Sequence, residues 1–274
     1  MLRKLIKYEL KATARVMLPL YLAVVALAGG LRLLTVWQQG LHYEAIVGLD
    51  PAGFLLQLFT IGFGLAMLAA PVAAVVLMIV RFKTNLLSDE GYVMFTLPVS
   101  IHKLVWSKLL SSVVWLAGAA AADAAGVLLL SLDQNTFSGL LQSVQDMFQD
   151  LTAYYAASGV LLLAELVVLL LVLCLCQCLQ FYCPMAIGHS FARHKVLLSV
   201  VFFFVISALT QAAGMVLLTA GTPFLDSLDT LLMGLPSAVT LHVSLLAAVL
   251  AGIIYGGILY AVTVRMLGRH LNLE

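Results

Sequence analysis

Six long apolar runs dominate the chain, and short polar segments separate them. The runs cover residues 16–36, 54–80, 109–132, 156–183, 196–220 and 239–264. A helix needs about 20 apolar residues to cross a hydrocarbon core roughly 30 Å thick. Every run meets that length, so the pattern predicts an all-α membrane protein with six transmembrane helices.

The segments between the runs are too short to form a separate soluble domain. Hydrophobic residues make up 63% of the 274 residues and charged residues 10%, whereas soluble domains average about 45–50% and 25%. A charged stretch of 15 residues precedes the first run and five further runs follow it. This order is typical of a retained anchor and not of a cleaved signal peptide. We expect one membrane domain that covers residues 1–274.

Residues 1–15 have the pattern of a basic amphipathic helix. One stripe carries Leu2, Leu5, Ile6 and Leu10, and the lysines at positions 4, 7 and 11 lie away from it. We expect this segment to lie in the cytoplasmic interface of the membrane, with its basic face toward anionic headgroups. The alternative is a simple extension of the first span. Pro19 is expected to mark the turn or kink where the chain enters the membrane.

Two further polar segments contain apolar residues. In residues 133–155 the apolar residues follow helical spacing, and they are Leu140, Leu141, Val144, Met147, Phe148 and Leu151. That segment lacks basic residues, so we expect an amphipathic helix that packs on the outer interface or on a partner chain. Residues 221–238, which include Asp226 and Asp229, are expected to form a short surface helix or a shallow re-entrant hairpin.

The basic residues predict the orientation of the chain. Thirteen of the 14 lysines and arginines lie on one side of the predicted spans, and only Arg32 lies on the other. The thirteen are Arg3, Lys4, Lys7, Lys11, Arg15, Arg81, Lys83, Lys103, Lys108, Arg193, Lys195, Arg265 and Arg269. Basic residues near the ends of spans are retained in the cytoplasm. Both termini, and the connection between spans 2 and 3, are therefore predicted to be cytoplasmic.

The sequence lacks the motifs of the common catalytic and nucleotide-binding sites. No segment matches the patterns GxxxxGK[ST], HExxH or GxSxG, which mark phosphate-binding loops, zinc hydrolases and serine hydrolases. The four cysteines, at positions 174, 176, 178 and 183, lie in one predicted span. Apolar packing explains them better than a disulfide or a metal site. We expect this chain to be no enzyme and to hold no cofactor or metal.

The cytoplasmic segment 81–108 has the pattern of a short helix that a partner protein can bind. Ser88 can cap a helix, and Asp89 and Glu90 then fall in its first turn, where the helix dipole favours negative charge. The apolar and aromatic anchors that an interface prefers follow at Tyr92, Phe95 and Leu97, and Pro98 ends the helix. The alternative is a solvated loop whose apolar residues dip into the membrane interface.

With these residues the chain resembles the permease subunits of type-2 ABC transporters. In that family a coupling helix between spans 2 and 3 carries acidic residues and a glycine, a Leu-Pro pair follows, and a lysine opens the third span. The matching residues here are Asp89, Glu90, Gly91, Thr96, Leu97, Pro98, Val99, Ser100 and Lys108. The interfacial N-terminal helix and the polar insertion before the sixth span also fit the family.

The resemblance implies the membrane-spanning half of an exporter in a bacterial plasma membrane. ATP and Mg²⁺ would bind to a separate ATP-binding subunit docked on the segment 81–108, at Ser88, Asp89, Glu90, Gly91, Tyr92, Phe95 and Leu97. A second permease subunit, identical or different, would complete the transporter. The exported substrate would be amphipathic, such as a peptide, a lipid-like molecule or a drug. The implied partners are these subunits and membrane lipid, with no nucleic acid.

Two carboxylates lie inside predicted spans, Asp123 in the third and Glu165 in the fourth. A charge at that depth costs at least ~2–3 kcal/mol, so each side chain should face protein or a water-filled cavity. The residues either line the export path or form hydrogen bonds that fix helix packing. Two other functions stay open: a proton-coupled secondary transporter that uses both carboxylates, and a membrane scaffold without transport activity.

Overall fold

The fold is taken from a computed structural model of the chain. It describes residues 2–40, 51–96, 98–132, 134–155, 159–191, 193–220 and 237–269. The predicted surface element at residues 221–238 therefore lies almost entirely outside the described residues, and so do Asp226 and Asp229.

The described residues form eight α-helices and no β-strand. The helices are α1 (Leu2–Gly40), α2 (Pro51–Leu86), α3 (Asp89–Thr96), α4 (Ile101–Leu130), α5 (Gln134–Tyr155), α6 (Gly159–Gly188), α7 (Lys195–Ala220) and α8 (Ser237–Arg269). All except α3 and α5 are long and apolar enough to cross a membrane. At most 22% of the most apolar stretch of any of these six helices is buried inside the protein, so a nonpolar medium must cover the rest. The chain is a multi-pass membrane protein.

Most of the spanning helices extend beyond the apolar runs from which they were predicted. Helix α4 begins at Ile101, eight residues before the predicted run at 109, and α2 continues six residues past 80. A helix of 30 residues is about 45 Å long, whereas the hydrocarbon core is about 30 Å thick. The additional turns contain polar residues, such as Lys83 in α2 and Lys103 in α4, which end an apolar run without ending the helix.

The turn that was one alternative at Pro19 does not form, because a single helix, α1, continues from Leu2 to Gly40 with Pro19 in its interior. Residues 2–15 therefore continue the helix of the first span, and the kink at Pro19 stays a prediction. Proline removes one backbone hydrogen bond, and membrane helices tolerate this loss where neighbouring groups compensate for it. The helix predicted in residues 133–155 is present as α5, Gln134–Tyr155, and its packing on the outer interface or on a partner chain stays a prediction.

The chain divides into two compact units, and the first consists of Arg3–Met78 and Leu110–Val144. Its core contains Val24, Ala28, Leu31, Phe63, Ala70 and Ala119. Glycines allow close helix contact around this core, because a Cβ atom at Gly126 would lie 2.9 Å from Phe63 Cε2. Small residues at membrane helix contacts let backbones approach and gain packing energy.

The second unit consists of Met1–Leu2, Ile79–Leu109 and Gln145–Glu274. Its most extensive helix–helix contacts are made by α6. Helix α6 packs on both α7 and α8. Between α6 and α8, a Cβ atom at Gly252 would lie 2.6 Å from Val172 Cγ1. The Phe82 and Tyr182 rings stack with their centroids 4.0 Å apart, and both side chains are fully buried.

The connection between α6 and α7 brings two backbones into direct contact. A Cβ atom at Gly188 would lie 2.5 Å from the Ser199 nitrogen and 2.7 Å from the Ser199 Cα. His194 has a φ of 56°, in the left-handed region that most residues avoid. Its carbonyl accepts a hydrogen bond from the Leu198 N–H at 2.9 Å. The chain therefore reverses in a tight turn that only a residue without a side chain permits at position 188.

We predict that Gly188→Ala lowers the free energy of unfolding by about 1–3 kcal/mol, because the added methyl group would overlap backbone atoms that cannot rotate away. The measurement is a thermal or denaturant melt of the purified protein. The control is Gly214→Ala in α7, since a Cβ atom there would meet nothing within 4 Å and alanine favours a helix. Equal stability of the two variants would contradict the close contact.

Candidate functional site

Helix α3 forms the centre of the predicted docking segment. It covers Asp89–Thr96, eight residues, and follows Leu86 and Leu87, which are both buried. The Gly91 N–H donates to the Ser88 carbonyl at 2.7 Å, and Gly91 is itself buried. The start of α3 is therefore anchored in the protein by apolar packing before it and by a tight first turn.

Several side chains of α3 are exposed. Tyr92 is 51% exposed and Val93 is 67% exposed, Glu90 is also exposed, and Phe95 is half-buried. An exposed aromatic residue beside an apolar one and a carboxylate is the composition that protein interfaces favour. The helix thus offers a small patch with one acidic group, which we call the α3 patch: Glu90, Tyr92 and Val93.

Two of the predicted docking residues are only partly described. Asp89 begins α3, but its side chain lies outside the described residues, and so does Leu97. The described contact of Ser88 is through its backbone carbonyl, so the predicted cap by its side chain stays a prediction. Gly91 has the role of a buried turn residue and is inaccessible to a partner.

Asp123 lies in the first unit, seven residues before the end of α4 at Leu130, or about 10 Å along the helix. Its Oδ1 atom is buried and has no hydrogen-bond partner among the described residues. A buried acceptor without a donor costs free energy. Oδ1 of Asp123 therefore retains the capacity to accept a hydrogen bond, and the two interpretations of this residue, export path or helix packing, both stay predictions.

Glu165 lies in the second unit and has a different environment. It follows the start of α6 at Gly159 by six residues, and His242 follows the start of α8 at Ser237 by five. The two side chains meet, with His242 Nδ1 2.7 Å from Glu165 Oε2 and relative exposures of 19% and 13%. The contact is a hydrogen bond if the imidazole is neutral and an ion pair if it is protonated.

His242 was not among the residues predicted from the sequence. The signal that could have found it is the topology, because the fourth and sixth of six consecutive spans run in the same direction. Contacts between α6 and α8 keep a nearly constant sequence offset: 77 residues for Glu165–His242, 76 for Cys176–Gly252 and 75 for Gln180–Tyr255. The nearly constant offset shows that α6 and α8 are parallel and pack in one register.

A second polar cluster links α6, α7 and α8 deeper in the same unit. The Tyr255 hydroxyl donates to the Gln180 Oε1, and the Gln180 amide donates to the Ser207 Oγ at 3.0 Å. Thr210 Oγ1 lies 3.1 Å from the Tyr255 hydroxyl oxygen. These side chains form hydrogen bonds with one another, so the cluster stabilises the packing of three helices.

The cysteines take part in the same packing. Cys176, Cys178 and Cys183 are buried, Cys174 is half-buried, and all four are free thiols. Cys176 Sγ donates to the Gly252 carbonyl at 3.2 Å, and a Cβ atom at Gly256 would lie 3.0 Å from the same sulfur. Among the described residues no group of three or more His, Cys, Asp or Glu side chains is placed to hold a metal ion.

Comparison of the chain with protein-family models, with curated proteins and with solved structures finds no match. The likeness to ABC permeases therefore depends on the number and order of the apolar helices and on the residues of the segment 81–108.

We predict that Glu165 and His242 are energetically coupled. In a double-mutant cycle, Glu165→Leu and His242→Leu should together cost about 1 kcal/mol less than the sum of the single changes, because each single change leaves a buried polar partner. The measurement is the free energy of unfolding of the four proteins. The control pairs Glu165→Leu with Ser244→Leu, since the Ser244 hydroxyl donates to its own helix at the Leu241 carbonyl. Additive costs in both cycles would show that the Glu165–His242 contact contributes nothing.

Proposed function

We propose that the chain is the membrane-spanning subunit of an ATP-driven ABC exporter in a bacterial plasma membrane. A separate subunit binds ATP and Mg²⁺ and docks on the segment 81–108, and a second permease subunit completes the transporter. The observation that carries the proposal is α3, a short helix between two spans that holds Tyr92 and Val93 away from the protein.

The connections of α3 favour it as a mechanical link. Only residues 87–88 join it to α2, and residues 97–100 join it to α4. Leu86 and Leu87 are buried, so the joint with α2 is packed and short. Displacement of α3 by a docked ATPase would move the ends of two spans with it, because connections of two and four residues are too short to absorb the movement.

Asp123 supports an export path for an amphipathic substrate. Its buried Oδ1, to which no described residue donates, can accept a hydrogen bond from a peptide, a lipid-like molecule or a drug, and a cationic group would bind there more strongly than a neutral one. Glu165 is less suited to direct contact, because His242 already occupies its Oε2.

The proposal requires α3 and both termini on the cytoplasmic side. We predict that a membrane-impermeant maleimide added to intact cells labels Asp146→Cys in α5 and leaves Glu90→Cys in α3 unlabelled. The two positions are matched, since both side chains are exposed, and the four native cysteines are first replaced by alanine or serine. Both positions should react after permeabilisation. Labelling of Glu90→Cys in intact cells would reverse the orientation and remove the docking role of α3.

We further predict that the α3 patch binds the ATPase. Tyr92→Ala should weaken association roughly 30-fold, which corresponds to the ~2 kcal/mol typical of an aromatic anchor at an interface centre, and Glu90→Lys should weaken it by reversing a charge. The measurement is the amount of ATP-binding subunit that co-purifies from the native host, relative to the tagged chain.

The control for the docking experiment is Tyr8→Ala. Tyr8 is 69% exposed, is predicted to lie on the same side of the membrane, and is outside the segment 81–108. All three variants should insert and melt like the unmodified protein, since the altered side chains are exposed. Full ATPase association and transport by both α3 variants would exclude α3 as the docking element.

A second candidate is a proton-coupled secondary transporter, and the Glu165–His242 pair favours it. The carboxylate and the imidazole lie 2.7 Å apart, within hydrogen-bond distance, and intramembrane ionisable residues often form proton relays. Transport that depends on a proton gradient, survives ATP depletion and is lost in His242→Gln would favour this candidate. Co-purification of an ATPase would favour the exporter. A scaffold would show neither property.

A further inference from the structure

An open groove lies in the second unit between the end of α2, the end of α6 and the start of α7. Its volume is about 480 Å³, within the roughly 300–1,000 Å³ of small-molecule sites. Its wall is almost entirely apolar and includes Val80, Phe181, Val200, Phe203 and Phe204. Val200 is 51% exposed and Phe204 66% exposed, so the groove opens to the surface of the spans.

One end of the groove is basic. Lys83, in the last turn of α2, lines it, and Lys195 is the first residue of α7. Both lysines are close enough to His189, at the same end, to act on its charge. Phe203 follows Lys195 by eight residues, which is about 12 Å along a helix. The positive charge therefore lies at the helix ends, and the apolar wall extends from it into the span.

His189 completes the basic end as a neutral group. Its Nδ1 lies 2.9 Å from the Met185 carbonyl and 3.4 Å from Ser199 Oγ. Burial lowers the pKa of His189, the Met185 carbonyl opposes that shift, and Lys83 and Lys195 lower it further. At neutral pH the two lysines thus supply the positive charge, and the imidazole packs against the end of the groove.

We propose that this groove is a binding site for one anionic membrane phospholipid, with its phosphate at Lys83 and an acyl chain along the wall formed by Phe181, Val200 and Phe203. A free anion has no apolar part that could pack on the wall, and the lysines would repel a cationic amphiphile. An anionic phospholipid complements both features and arrives from the bilayer in which the spans are immersed. The site is independent of the proposed export function.

The test is lipid retention by the purified full-length protein. The protein is reconstituted in nanodiscs of equimolar phosphatidylglycerol and phosphatidylcholine, released into mild detergent, and analysed by native mass spectrometry for bound lipid. We expect one retained phosphatidylglycerol in preference to phosphatidylcholine. Lys83→Gln should lower that preference about fivefold, the effect of one basic residue at a membrane surface, and Lys83→Arg should preserve it. Lys103→Gln is the control, because Lys103 is exposed and does not line the groove.

A second pair of variants tests the apolar wall. Val200→Trp should fill the groove and abolish retention of the lipid, whereas Val201→Trp should leave it unchanged, since Val201 is 45% exposed on the same helix but does not line the groove. Val196→Trp fills the same groove and replaces Val200→Trp if that variant does not fold.

The proposal requires both the lysine and the wall. Loss of the preference in Lys83→Gln alone, together with displacement by inorganic phosphate, would indicate a simple anion site and overturn it. Sensitivity to the tryptophan variants alone would indicate an apolar surface without headgroup recognition, which also overturns it. Equal retention of both lipids by the unmodified protein would mean ordinary bilayer contact and reject the site.

Discussion

A polar group inside a hydrocarbon layer must find its hydrogen-bond partner within the protein, because lipid tails offer none. The backbone meets this demand by remaining helical through all six long apolar segments. Short side chains meet it locally: the hydroxyls of Thr60, Thr210 and Thr263 donate to the carbonyl four residues earlier in the same helix. Longer side chains, such as Glu165 and Gln180, cannot do this and need a second helix. The polar residues of the spans therefore decide which helices pack together and in which register.

The sequence predicted the features that depend on local periodicity. Long apolar runs predicted the six spanning helices, and apolar residues at helical spacing predicted α5. Ser88 and Pro98 predicted the start and the end of the short helix α3, which covers Asp89–Thr96. Each of these signals is contained within one segment of chain. Pro19 is also a local signal, for a turn or a kink, and the continuity of α1 excludes only the turn, since the surroundings of a membrane helix can compensate for one missing hydrogen bond.

The partners of the intramembrane polar residues could not be predicted in that way. Glu165 and His242 are 77 residues apart, and Gln180 and Tyr255 are 75 apart, so each contact depends on the register between two helices. The same holds for the groove beside Lys83, which combines residues from three helices. For Asp123 the position along the helix was predictable, and the environment of the side chain was not. The sequence indicated its depth in the span, but only packing reveals that its Oδ1 is buried without a hydrogen-bond partner in the part of the chain that the structure describes.

The single register of α6 and α8 constrains any transport mechanism that uses the second unit. Sliding α8 along α6 by one helical turn, about 5.4 Å, would separate Glu165 from His242 and Gln180 from Tyr255 at the same time. It would also move Gly252 away from Val172, where a Cβ atom would lie only 2.6 Å from Cγ1. Packed contacts of this kind have few alternative arrangements. In the exporter that we propose, a conformational change transmitted through α3 would therefore move α6 and α8 together as one body, so that changes in access would occur at other helix contacts.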